Sequence, residues 1–218
     1  MTDKDTSKDI SSIREDYALK TLSLDELSPD PVLQFEQWFN EAITAEVREP
    51  NAMTLATVDE SHTPSARIVL LKGIEDGAFW FFTNYNSAKG KAMANNPKVS
   101  LLFFWAELQR QVRIDGVVSK LSSEQSDAYF NSRPRGSRIG AMASPQSERI
   151  DNRQVLEDRV SEIESTYAEG DIPRPIHWGG YQVVPSSIEF WQGRTSRLHD
   201  RLRYTRANDE WKIDRLAP

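Results

Sequence analysis

Between Ala52 and Lys120 the chain alternates short β-rich runs with tight turns, and this punctuation limits the folds open to it. Ala52 to Val58 is one run, Asp59-Glu60-Ser61-His62 is turn chemistry, and Ser65 to Lys72 is a second run with a cation near each end. Ile74 to Gly77 holds another turn before Ala78 to Thr83. Asn84 to Asn96 reads as a loop and a short helix; Val99 to Trp105 and Gln109 to Lys120 read as two more strands. Five short strands joined this tightly favour an antiparallel barrel or sandwich, because a parallel sheet needs long crossovers. Tyr181 to Val184, Ile188 to Trp191, Arg201 to Thr205 and Trp211 to Ile213 are expected to complete the strands.

Helices decorate this mainly β fold. Pro29 and Pro31 open one in which Phe35, Trp38, Phe39, Ala42 and Ile43 recur at helical spacing through about Val47. Ser122 through Gln125 has capping-box spacing and starts a helix to about Asn131. Asn131 to Ser137 and Arg138 then form an arginine-rich loop. Asp151 is expected to cap a longer helix to about Ala168, with Val155, Leu156, Val160, Ile163 and Tyr167 as its buried stripe. Residues 1–12 read as a disordered, polar N-terminal tail, and 13–218 as a single domain in which Ile13 to Leu27 is ordered through Arg14 and Tyr17.

Composition removes several classes of chemistry. With no cysteine there is no disulfide, thiolate metal site or cysteine nucleophile, which fits a cytoplasmic protein. The net charge of −6 argues against nucleic-acid binding, so the arginine clusters are local and suit a small anionic ligand. No window approaches the roughly 18 apolar residues of a membrane span, and no apolar signal-peptide core is present. His62, His177 and His199 lack metal-ligand spacing, so no metal is expected. Phosphate-loop, dinucleotide-glycine and nucleophile-elbow motifs are missing.

Four stretches carry candidate chemistry. In Glu189 to Arg201 the residues Arg197, His199 and Arg201 fall at every second position; on a strand they would share one face and call for an anion there. In Ala66 to Lys72, alternation puts Arg67 and Lys72 on opposite faces. Ser87-Ala88-Lys89-Gly90-Lys91 opens a helix, a plausible phosphate seat. Arg133-Pro134-Arg135-Gly136-Ser137, with Tyr129 one turn before it, offers guanidinium forks and a hydroxyl. Each stretch alone is also readable as solvated surface charge, and for Ala66 to Lys72 rim charge is the better reading of the stretch by itself. Together, two anion sites and abundant aromatics suggest a phosphorylated planar cofactor and a phosphorylated substrate.

The chain resembles the pyridoxamine 5′-phosphate oxidase family from about Ile13 onward. The resemblance rests on Arg67-Ile68-Val69-Leu70-Leu71-Lys72, Asn131-Ser132-Arg133-Pro134-Arg135, Gln146-Ser147, Phe190-Trp191-Gln192-Gly193, Arg197-Leu198-His199-Asp200-Arg201 and Trp211 to Pro218. It implies an antiparallel FMN-binding split β-barrel that works as a homodimer with FMN at the subunit interface. Arg67 and Lys89 would hold the FMN phosphate; Ile68, Val69, Leu70, Leu71, Lys72, Phe82 and Thr83 would line the flavin. Gln111, Gln146, Ser147, Trp191 and Arg201 would complete that site. Lys72, Tyr129, Arg133 and Ser137 would clamp a substrate phosphate, and Arg197, Leu198 and His199 would face the substrate pyridine, with Arg197 and His199 as catalytic candidates. Arg14 and Tyr17 would belong to a covering segment. Dioxygen would be the electron acceptor. Family members usually carry arginine where this chain has Ala88, which implies weaker FMN retention unless Lys91 substitutes. A flavin reductase with another donor, a non-catalytic flavin or pyridoxal-phosphate carrier, and a basic interaction module are the competing readings.

Overall fold

The computed structural model describes residues 10–12, 15–208 and 210–218. Arg14, expected in the covering segment, and residues 1–9 of the expected tail lie outside the described residues. Among the described residues nine strands form one sheet, with order β2-β1-β5-β6-β7-β4-β3 and with β8 joining β7 to β9. Every pairing is antiparallel. The architecture is the antiparallel, helix-decorated β fold that the sequence favours, and it agrees with the split barrel that the resemblance implies.

Strands β1 (Ala52–Val58) and β2 (Pro64–Leu70) form the first hairpin. β3 (Gly73–Glu75) and β4 (Ala78–Asn84) form the second. The Lys72 N–H donates to the Trp80 carbonyl at 2.8 Å, linking the exit of β2 to β4. β3 is absent from the sequence reading because three residues carry no usable alternation. Its turn is legible only afterwards: Asp76 and Gly77 both have positive φ, the Asp-Gly pair that tight hairpins favour. β2 is also less buried than its apolar run suggests, being at a sheet edge with Ile68 64% exposed.

β5 (Lys98–Trp105), β6 (Arg110–Lys120) and β7 (Trp178–Gln192) form the middle of the sheet. The two short strands expected between Tyr181 and Trp191 are one strand, β7. Its first half pairs with β4 and its second half with β8 (Asp200–Ala207), which carries β9 (Glu210–Leu216). Pro185 and Ser186 looked like a break because proline cannot donate to a ladder. The structure instead places a bulge there, with Asp115 opposite Ser187 but Gly116 opposite Pro185.

Helix α1 (Pro31–Thr44) packs its apolar side chains into the main core of the sheet. The Asp30 carboxylate accepts the Val32 N–H at 2.8 Å and Pro31 sits in the first turn, a pairing of cap and proline that fixes the start. Phe35, Trp38 and Ala42 are buried; Ile43, expected with them, faces outward at 52% exposure. Phe35 meets Phe79 and Phe103 at 5.0 and 4.9 Å, so helix and strands share one core. Burying each such ring contributes about 1.5–3 kcal/mol.

A smaller core of Phe130, Ile139, Ile172 and Trp178 lies under the remaining helices. α2 (Ala88–Asn95) starts at Ser87, whose hydroxyl accepts the Gly90 N–H. α3 (Ser123–Ser132) has the expected capping box between Ser122 and Gln125. The arginine-rich loop is corrected: Arg135–Ala143 is helix α4, with Pro134 at its N-cap. The apolar spacing of Ile139 and Ala143, both buried, supports that helix once Pro134 has ended α3. α5 (Gln154–Thr166) begins after Arg153, not at Asp151; the Asn152 side chain accepts the Val155 N–H instead. Its apolar stripe is half-buried, with Val160, Ile163 and Tyr167 against the smaller core.

Candidate active site

The expected site residues separate into two groups. The first surrounds a cleft of about 670 Å³ between β2, β4, α3 and α4. Ile68, Val69, Leu70 and Lys72 line one side; Phe82, Thr83, Lys89 and Gln146 line another; Tyr129, Arg133 and Ser137 close the third. Ser137 enters through α4, which presents it one turn beyond Arg133.

The Gln146 carbonyl oxygen gathers this cleft's donors, accepting from Lys89 Nζ at 3.0 Å and Thr83 Oγ1 at 3.2 Å. Arg67 stands behind the lining, where its guanidinium donates to the Leu55 carbonyl at 3.1 Å, to Thr57 Oγ1 at 2.8 Å and to Ser65 Oγ. Burial lowers the Lys89 pKa, and the Arg67 charge lowers it further. Burial also lowers the affinity of Arg67 and Arg133 for their protons. No ion pair among the described residues uses Arg67, Lys72, Lys89 or Arg133. Desolvated cations without a protein carboxylate are stabilised by an anion from outside.

Leu71 and Ser147 do not line this cleft. The Leu71 side chain is in the main core, and its N–H and C=O are taken by the Asn51 backbone and side chain. Ser147 is exposed beside Gln146 with φ of 72°. Ala88 is exposed at the start of α2; Lys91 is exposed too and is not among the cleft's lining residues.

The second group surrounds Tyr17, Arg197 and His199, which with Glu15, Asp16, Arg194 and Ser196 line a separate cleft of about 930 Å³. The alternation expected of Arg197, His199 and Arg201 does not hold. Thr195–Arg197 is a 3-10 turn, Ser196 and Arg197 have φ of 56° and 59°, and β8 begins only at Asp200. A turn, not a strand face, brings Arg197 beside His199; Leu198 points to solvent at 70% exposure.

His199 has a defined role in hydrogen bonding. Its Nδ1 accepts the Arg194 backbone N–H at 3.1 Å. A backbone amide can only donate, so Nδ1 carries the lone pair and the neutral ring holds its proton on Nε2. Burial and then Arg197 lower the His199 pKa, which keeps that neutral form in place. The ring packs 4.5 Å from Trp191, and Tyr17 meets both rings at 5.9 and 6.0 Å. Gly193 makes this approach feasible, since a Cβ there would fall 2.6 Å from the Tyr17 ring.

Gln111, Trp191 and Arg201 are directly opposite one another across β6, β7 and β8, so they share one face of the sheet. Arg201 is anchored by buried Glu189 at 2.7 Å and by the Ala217 carbonyl at 2.8 Å; the hydrogen bond to Glu189 raises its pKa. The segment from Ala18 to Leu22 is tied down by side chains. Gln109 Oε1 accepts the Ala18 and Leu19 N–H groups, and Asp200 accepts the Leu22 N–H at 3.1 Å. Asp200 is also paired with Arg194 and Arg215. Sequence reasoning missed Gln109, Trp178, Glu189 and Asp200. Asp200 had one signal, an acid set among four arginines; Trp178 had none beyond the two glycines after it.

Fold and clefts define a class: an antiparallel split-barrel protein with uncompensated, partly desolvated positive charge along one cleft and an imidazole–guanidinium pair along another. Residues 39–167 match the family described as pyridoxamine 5′-phosphate oxidase, and residues 178–218 match a pyridoxine 5′-phosphate oxidase C-terminal dimerisation region. A pyridoxine/pyridoxamine 5′-phosphate oxidase of Burkholderia mallei is 57% identical over 212 residues, covering 96% of this chain and 99% of the relative. One from a Cyanothece species is 54% identical over 209 residues, covering 96% and 98%. The chain belongs to the pyridoxamine 5′-phosphate oxidase family, a family of oxidoreductases. Among solved structures, PhzG from Burkholderia lata in complex with tetrahydrophenazine-1-carboxylic acid superposes with a TM-score of 0.86 at 30% identity, covering 92% of this chain and 99% of that one. An FMN-binding protein of Nostoc punctiforme shares the fold at 17% identity and a TM-score of 0.69, covering 88% and 99%.

Proposed function

We propose that this protein oxidises pyridoxamine 5′-phosphate or pyridoxine 5′-phosphate to pyridoxal 5′-phosphate, with FMN as cofactor and dioxygen as acceptor. The observation that carries the proposal is the first cleft: Lys89, backed by Arg67, and Lys72 with Arg133 form two separate sets of cations, none of them with a carboxylate partner among the described residues. One set suits the FMN phosphate and the other a substrate phosphate. The chemistry that FMN supplies when bound is two-electron redox, taking a hydride equivalent from the substrate carbon and delivering the electrons to dioxygen as hydrogen peroxide.

The chain's own residues bind, orient and exclude water. Lys72, Arg133, Ser137 and Tyr129 hold the substrate phosphate, and Thr83, Lys89 and Gln146 hold the cofactor. Arg197 orients the substrate ring by charge, and His199 donates from Nε2–H while its Nδ1 is held by Arg194.

The split into two clefts supports a homodimer in which one copy's Arg197 and His199 complete the other's phosphate cleft. Register puts Ile68, Thr54, Leu102 and Phe104 on one face of the sheet, continuous with Gln111, Trp191 and Arg201. Ile68 and Phe104 are 64% and 54% exposed there, an apolar surface suited to a second copy.

The test is anaerobic mixing of the FMN-loaded protein with pyridoxamine 5′-phosphate while the flavin absorbance is followed. The expected result is bleaching that reverses in air, with pyridoxal 5′-phosphate formed. A yellow protein that never bleaches points to a reductase with another donor or to a carrier.

A further inference from the structure

We infer that Trp178 is the positioning residue of the phosphate clamp, acting through Arg133. The inference rests on the proposed function, in that the clamp's ligand is taken to be a phosphate monoester. Its physical core is how a guanidinium can be held without using up the donors a ligand needs.

Arg133 lies with its guanidinium carbon 4.6 Å from the centre of the Trp178 ring and 5.8 Å from that of Phe130. Its Nη1 is buried and has no hydrogen-bond partner. No carboxylate among the described residues pairs with it. A salt bridge would fix the guanidinium but would occupy its fork and cancel its charge. An indole face attracts the cation through its π-electrons and leaves the in-plane N–H groups free for two phosphate oxygens. Trp178 thus orients Arg133 without taking up its N–H groups, beside the cleft that both residues line.

The shelf is itself rigid. Trp178 is 6% exposed and begins β7 opposite Asn84 of β4. Its carbonyl accepts from Arg174 Nη1 at 2.7 Å, and Arg174 is paired with Asp127 at 2.6 Å. Phe130 abuts it edge-on at 5.2 Å. Phe82 lies nearly parallel to it at 5.7 Å, and Tyr129 at 6.2 Å with an interplanar angle of 6°. Phe82 and Tyr129 stack on each other at 3.8 Å. One ring stack therefore sets both Arg133 and Tyr129, the charged and the hydroxyl donor of the same clamp.

The experiment compares wild type, Trp178→Leu, Trp178→Phe, Arg133→Ala and the double variant Trp178→Leu/Arg133→Ala, all FMN-loaded, using pyridoxamine 5′-phosphate as substrate. Trp178→Leu should raise KM about tenfold with kcat changed less than twofold and FMN retained, and Trp178→Phe should recover most of the loss. In the Arg133→Ala background, Trp178→Leu should add little, because its effect passes through Arg133. Equal KM in wild type and Trp178→Leu, or losses that add fully in the double variant, would overturn the inference. If Trp178→Leu does not fold, the same cycle run with Trp178→Phe decides, with a smaller coupled loss expected and full additivity counting against it. Failure of the wild type to turn over or bind the phosphorylated substrate would instead overturn the reading beneath, and the inference with it.

Discussion

At the scale of single residues, His199 shows how a neighbour fixes chemistry. Its proton is placed by the Arg194 N–H, and its environment includes Arg194 and Arg197 as cations and Glu15 and Asp16 as carboxylates on the same cleft. The folded pKa lies below the ordinary value of about 6.5, so folding favours the neutral ring. The stabilisation this lends is complete above the unfolded pKa and is lost as pH falls through the lower folded value. Substrate affinity should therefore be level through pH 7 and weaken on the acid side. The measurement is KM against pH for wild type and His199→Gln, since the difference cancels titration of the substrate phosphate. An acid limb of equal size in both would remove the role. Sequence alone identified His199 and its arginines but not this geometry, because the alternation argument assumed a strand. Positive φ at Ser196 and Arg197, residues with no glycine to advertise it, breaks the strand there.

At the scale of elements, legibility followed period and caps. α1 and α3 were readable because Asp30-Pro31 and Ser122 with Gln125 mark their starts, and β1, β5 and β6 because their faces alternate. α4 was not, since Arg133, Arg135 and Arg138 mask a short apolar stripe. β7 was cut in two by Pro185, whose bulge only pairing with β6 reveals. Gly116 is the other half of that irregularity: a Cβ would lie 2.4 Å from the Val184 carbonyl oxygen, backbone that cannot turn aside. Gly116→Ala should cost about 2 kcal/mol or more, lowering Tm by several degrees, while FMN binding in the folded fraction persists. Thermal unfolding of the variant checks this, and an unchanged Tm would mean that the bulge is softer than its contacts imply.

At the scale of the whole molecule, the proposed site is divided between two clefts, and the proposed second copy would sit on the exposed apolar face that carries Ile68 and Phe104. Phe104→Glu, on that face, should shift the protein to a monomer in light scattering coupled to size exclusion, with less FMN retained per chain. A monomer that keeps its full FMN would show the cofactor site to be complete in one chain. Helical and strand periods do not encode the division, because they place residues within an element, whereas Lys89 and Arg197 lie on different elements that line different clefts.

The hydrogen bonds that fasten the segment up to Leu22 bear on the order in which the molecule can be finished. Leu22 donates to Asp200 and accepts from Arg215, across 178 and 193 residues of chain. Ala18 and Leu19 can be fastened once Gln109 is in place, but Leu22 must wait for β8 and β9 before its two bonds can form. During synthesis the barrel core can form while the Tyr17 side of the cleft stays open, so the cleft lined by Arg197 and His199 is among the last features to be assembled.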